Sequence, residues 1–239
     1  MSHFPIAVLH RKNQSIDLML APYDEYLEVE PYVFLTHEEA IEKAKKYKKE
    51  IEEDQYETLE HIKQMFFNAN TDEELFQAYL EYCDRDLVDE DGNVLSTYNP
   101  DSKYDYYTEG GRSLFTKDGE EWGEARLGDV QFGIIQDWYD DAIEFWNSTI
   151  VGDKRTFYNK ERFKEKYGSA EKYAKTVSTF TTYAVVTPDG VWHAPGNVGW
   201  FGMSSETEDE WDDWVSNYYE RFFKDADPDL ILTMVDCHI

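Results

Sequence analysis

Three segments of the 239-residue chain hold residue types that could do chemistry. Asn99 to Arg112 reads NPDSKYDYYTEGGR. In it Gly110 and Gly111 permit positive φ and close backbone approach, and Arg112 supplies a planar fork for a carboxylate or phosphate. With Asp105 and Tyr107 this run is a candidate ligand loop; it also reads as an irregular turn whose tyrosines pack on a sheet. Thr187 to Met203 sets four glycines among large aromatics. Trp192, His193 and Trp200 would then line a pocket, unless the loop merely plugs the core. Taken together, the two segments suggest a pocket for a small, nucleotide-like anion, with Arg112 as its cation and the Trp192 to Phe201 loop as its wall. The third segment is Val235-Asp236-Cys237-His238-Ile239. On a strand, Asp236 and His238 share a face at i and i+2, a spacing for an acid/base pair or for two metal donors. His10 and His193 are the nearest guesses for further ligands, and a plain His–Asp hydrogen bond is the alternative.

No serine-hydrolase elbow, HExxH, phosphate-binding loop or dinucleotide fingerprint occurs. The six histidines and two cysteines show no clustered ligand spacing, so neither a tightly bound structural metal nor a cofactor is expected. Cys83 and Cys237 are too few and too far apart for a disulfide framework, which fits a reducing cytoplasm. The apolar stretch Ile6 to Leu9 is too short for a secretion signal, and no run approaches the ~20 apolar residues of a membrane span. An unprocessed, soluble protein is expected. With 23 Lys and Arg against 51 Asp and Glu, the formal charge is −28. That balance argues against direct binding of nucleic acid. Yet the chain is 41% hydrophobic, with 7 Trp, 18 Tyr and 14 Phe, too aromatic for disorder.

The elements that must position these residues are legible in part. Phe4 to Leu9, Phe180 to Val186 and Leu230 to Val235 are the most continuous apolar runs, each bounded by turn signals, and are expected in one sheet. Asp189-Gly190 should turn a hairpin from the second of these into Val191-Trp192-His193. Thr36 to Glu39 and Thr71 to Glu74 are capping boxes, the first opening a mostly solvated helical segment over about 36–67. Asn159 and Ser169 suit N-caps, and Trp138, Ala142, Phe145 and Trp146 mark a helix. Ser205 to Glu208 reads as a third box, opening a helix over Glu206 to Phe223 with Trp211, Trp214, Val215, Tyr218 and Phe222 on one stripe and acids opposite. With no repeat or linker, the chain reads as a single α+β domain over 1–239, a mixed or antiparallel sheet whose helices cover one face.

The runs NPDSKYDYYTEGGR, LAPYDEYLEVEPY (Leu20 to Tyr32), AVVTPDGVWHAPGNVGWFGMSSETEDE (Ala184 to Glu210) and the ending LTMVDCHI resemble an uncharacterised protein family of bacteriophages, prophages and gut Firmicutes. That family's central segment reads W-D-W-Y-x-I-G-G-R-W. Here Tyr104, Tyr106, Glu109 and Ser113 depart from it, while Asp105, Tyr107, Gly110, Gly111 and Arg112 keep it. The resemblance implies a phage or mobile-element context and the cytoplasm of a bacterial host. The first functional expectation is a counter-defence protein that works by binding. In it, Glu206, Glu208, Asp209, Glu210, Asp212 and Asp213 would occupy the basic nucleic-acid surface of a host defence protein. The second is a small-molecule binding or hydrolysing protein that uses the Gly-Gly-Arg loop with Asp236, His238 and His193. A third is a general host-takeover interaction module.

Overall fold

Phe4 to Leu9 forms the body of strand β1 (His3–His10), which is buried from Phe4 onward except for a half-buried Pro5. The computed structural model describes residues 3–53, 59–110, 113–199 and 203–239. The fold is α+β, and the chain divides into two compact units, Met1–Glu25 with Asp101–Ile239, and Tyr26–Pro100. After β1, the Ser15 hydroxyl accepts from Leu18 N and starts the short helix α1 (Ile16–Leu20), which runs into a 3₁₀ turn, Ala21–Tyr23.

The 26–100 unit holds β2 (Tyr32–Leu35), α2 (His37–Glu52), α3 (Glu60–Asn68), α4 (Asp72–Tyr82) and β3 (Val94–Ser96), with β2 and β3 antiparallel. Both expected boxes form: Thr36 caps α2 with Glu39 reaching back, and Thr71 caps α4 with Glu74. The narrow stripe of α2 buries only Ala40, Ala44 and Ile51, whereas α4 buries Leu75, Phe76, Ala78, Tyr79 and Leu80 around Phe66 of α3. The linking residues 54–58 lie outside the described residues.

The other unit continues with β4 (Tyr106–Glu109), β5 (Ser113–Thr116), β6 (Gly119–Trp122), β7 (Glu124–Arg126), α5 (Gln136–Phe145), α6 (Lys160–Tyr167) and α7 (Ala170–Ser178). Then come β8 (Ala184–Val186), β9 (Trp192–His193), α8 (Glu208–Phe222) and β10 (Ile231–His238). Asn159 and Ser169 cap α6 and α7 as expected. The main sheet runs β4-β10-β1-β8-β9, with β7 also paired to β10. It is mixed: β1 and β8 are parallel, the other pairs antiparallel. The three apolar runs thus become the three central strands. The second is shorter than expected: only Ala184–Val186 is strand, because Phe180 turns into the core beneath α8 and the Thr182 side chain caps the Ala184 carbonyl.

A strand alternates its side chains, so the sheet has two apolar faces. Ala7, Leu9, Val185, Leu232 and Met234 face Trp214 and Tyr218 of α8. Ile6, Val8, Ala184, Val186, Val235 and Cys237 face Ile16, Met19 and Leu20 of α1. Helices therefore cover both faces, not one, since the central strands are apolar on both sides. The cap of α8 also differs from expectation. Ser205 and Thr207 each precede a glutamate by three, and the box closes on Thr207 and Glu210, while the Ser205 hydroxyl accepts from Asn197 N. The helix starts at Glu208, two residues later than read from Ser205.

Two measurements follow. Hydrogen bonds from backbone N–H groups, Thr36 for Glu39, Asn70 and Thr71 for Glu74, Thr207 for Glu210, hold these three carboxyls below the ordinary glutamate value. A depressed carboxyl contributes stability above its unfolded pKa and loses it as pH falls through the folded one. Far-UV circular dichroism should therefore show thermal stability dropping below about pH 4.3, and Glu39→Gln with Glu74→Gln and Glu210→Gln should flatten that drop. Cys83 is partly exposed, whereas Cys237 is buried and its thiol is pushed up by that burial. Iodoacetamide at neutral pH should label Cys83 in the folded protein and reach Cys237 only after denaturation, read by peptide mass spectrometry.

Candidate functional site

The first and last strands run antiparallel in a register that sets His3 opposite His238 and Pro5 opposite Asp236. On the far side of β10, Tyr106 of β4 lies opposite His238. The period of two puts His3, Asp236 and His238 on the face that α8 covers further along. Each imidazole there is held by a carboxylate. His3 Nδ1 lies 2.9 Å from Asp236 Oδ2, and His238 Nδ1 lies 2.7 Å from Asp105 Oδ1. Asp105 is itself fixed, its Oδ1 accepting from Tyr106 N at 2.7 Å and its own N–H donating to the His238 carbonyl at 3.0 Å. The Tyr106 ring stacks on His238 with centroids 4.4 Å apart, and His3 meets the His238 ring edge-on at 5.0 Å.

An ionised carboxylate only accepts hydrogen bonds, so Asp105 fixes the proton of a neutral His238 on Nδ1 and leaves the lone pair on Nε2. The His238 side chain is 4% exposed, and its Nε2 is buried without a partner among the described residues. Such an atom costs about 1 to 3 kcal/mol of desolvation. Comparison with protein-family models, with curated proteins and with solved structures finds no match.

The structure re-pairs the C-terminal residues. Asp236 and His238 share a face as expected but bond to His3 and Asp105, not to each other, because neighbouring strands offer nearer partners than an i, i+2 residue does. His10 lies opposite Ile231, seven residues or about 23 Å along the strand, where its Nε2 meets Thr233 Oγ1 at 2.9 Å. His193 sits on β9 against Thr187 and Phe222. Among the described residues, no group of three or more His, Cys, Asp or Glu is arranged to hold a metal ion, and no helix is long and apolar enough to cross a membrane.

The two loops expected to form one pocket leave the sheet at opposite edges. Gly110 follows edge strand β4, with φ +91° and its N–H on the Met234 carbonyl. Trp192 lies on edge strand β9, four strand spacings or about 19 Å across, its N–H donating to the Tyr23 hydroxyl. Tyr107 donates to the Asp17 carboxylate, and burial, then that bond, raises its hydroxyl. Gly111, Arg112 and Trp200 lie outside the described residues. An open depression of about 560 Å³ does bring Trp192 and His193 beside Glu210, Asp213 and Arg221.

A cavity of about 400 Å³ opens beside the histidine pair, with His3 in its wall and Phe4, Tyr183 and Trp211 as its aromatic lining. Glu206 and Glu208 also line it. Of the acids expected to face a partner, Glu208, Asp209, Glu210, Asp212 and Asp213 are exposed on α8. Glu210 is used in the cap, Asp213 pairs with Arg221 at 2.6 Å, and the half-buried Glu206 accepts from the Tyr183 hydroxyl at 2.9 Å. His3, Tyr183 and Lys166 carry no motif in the sequence. Only the β1–β10 register, which no local pattern encodes, would have pointed to His3.

Proposed function

We propose that this chain is a small-molecule protein whose working group is the Asp105–His238 pair, with His238 Nε2 accepting a hydrogen bond or a proton from a ligand O–H or N–H. The observation that carries this reading is a buried Nε2, unpartnered among the described residues, on an imidazole whose other nitrogen is held by a carboxylate. A basic nitrogen, fixed in tautomer by an acid behind it and kept from water, is the arrangement of a general base. Asp105 acts through His238 as a positioning residue. The test is release of bound compounds by denaturation of protein purified from a bacterial host, followed by mass spectrometry. Wild type should release a compound in near-stoichiometric amount that His238→Gln lacks, and Asp105→Asn should hold less of it. Equal release from wild type and His238→Gln, or none from either, would overturn the reading.

A second reading is supported by α8, which turns Trp214 and Tyr218 inward and Glu208, Asp209, Asp212 and Asp213 outward. In it the chain is a phage counter-defence protein whose acidic face occupies a basic surface of a host defence protein. Changing those four acids to lysine should leave the fold intact while weakening partner capture, and wild-type binding should fall with salt. A partner indifferent to both would exclude it.

A further inference from the structure

The cavity beside the histidine pair has a chemistry of its own, and its ligand class can be read from its walls. Tyr183 and Trp211 stand nearly parallel, 20° between planes and 6.3 Å between centroids, and Phe4 meets Tyr183 edge-on at 5.6 Å. Aromatic faces of this kind bury a flat or apolar body and attract positive charge. Within them Glu206 is held in place from two sides. Its Oε2 accepts from the Tyr183 hydroxyl at 2.9 Å, and its backbone and carboxylate pack against Gly196 so closely that a Cβ there would lie 2.7 Å from Glu206 N and from Oε2. Only glycine fits at that point, so the loop carrying Gly196 fixes the carboxylate, and among the described residues Oε1 has no hydrogen-bond donor. Lys166 also lines the cavity, but it lies 3.9 Å from Glu208, which offsets it. The balance of the lining is therefore one oriented carboxylate among aromatic rings, on a chain of net charge −28.

We propose that this cavity binds a small organic cation, a protonated primary amine on an aromatic or apolar body, with the ammonium on Glu206 and the body packed against the exposed edges and faces of Tyr183, Trp211 and Phe4 that line the cavity. This rests on the small-molecule reading above, since His3 both lines the cavity and touches the ring of His238. An anion in this cavity would face Glu206 across an aromatic wall, and Lys166, the one lysine or arginine among the described lining residues, lies beside Glu208.

The test is isothermal titration of the full chain with 2-phenylethylamine, with 2-phenylethanol and with 3-phenylpropanoate, three probes of similar size and different charge. The amine should bind at least about tenfold more tightly than the carboxylate. Glu206→Gln and Trp211→Ala should each weaken the amine by about tenfold or more, and Glu206→Gln should leave the alcohol unchanged. If Glu206→Gln does not fold, Tyr183→Phe, which keeps the ring and frees the carboxylate, should shift amine affinity while leaving alcohol affinity in place. Equal affinity for amine and carboxylate, no amine binding up to about 10 mM, or an unaltered Glu206→Gln would overturn the proposal. His238→Gln separates the two readings. Amine binding unchanged in that variant, together with no difference in released compounds, sinks the acid–base role of His238 and leaves the cavity's ligand class standing. Loss of the released compound without any amine binding does the reverse.

Discussion

Trp214→Ala should lower the stability of the sheet-bearing unit by about 3 to 5 kcal/mol, read as a shift of the urea unfolding midpoint. Trp214 is buried between α8 and the sheet, in the cluster that holds Ala7, Val185, Leu232 and Met234. Its removal leaves a cavity and also strips the Thr182 carbonyl of the indole N–H that donates to it at 2.9 Å. The neighbouring ring offers an internal control. Tyr218 is buried, and its hydroxyl meets the Thr182 hydroxyl, which in turn donates to the Ala184 carbonyl. Tyr218→Phe keeps the ring and the Thr182–Ala184 bond, so it should cost only about 1 kcal/mol. Similar losses from the two variants would show that α8 is held by polar contacts rather than by ring packing.

Val235→Asp should abolish the folded sheet altogether. Val235 is fully buried near the middle of β10, paired on one side with Ile6 and on the other with Glu109 of β4. Its side chain lies among Ile6, Val8 and Ala184 under α1, in a cluster whose described members are apolar or aromatic. A carboxylate there must be protonated or unpaired, a cost of several kcal/mol against a total stability of about 5 to 15. Val235→Thr, which keeps the branch and adds one hydroxyl, should cost about 1 to 3 kcal/mol and remain folded. A cooperative wild-type-like melt from Val235→Asp would contradict the position assigned to this strand.

What the sequence reveals here is what short-range physics decides. A capping box is closed by residues three apart, so those of Thr36 and Thr71 are readable directly. Where two boxes overlap, at Ser205 and Thr207, the choice depends on Asn197, a loop residue that takes the Ser205 hydroxyl. The three central strands are readable because each is apolar on both faces. Their order and register are not, and the site depends on both. His3 reaches Asp236 across 233 residues, and Asp105 reaches His238 across 133. For the same reason Gly110 and Trp192, both glycine- and aromatic-flanked in sequence, end at opposite edges of the sheet.

The pairing of β1 with β10 also has a kinetic consequence. Within the 26–100 unit the sheet pairs Tyr32 with Ser96, whereas the β1–β10 pair joins residues more than two hundred positions apart. As the chain leaves the ribosome, β1 emerges well before either neighbour, β8 or β10, has been made, and it waits apolar on both faces. During that interval it is a target for holdase chaperones and a seed for aggregation. The imidazole pair assembles only once β10 has been made, so a chain stalled or released before β10 carries no trace of it.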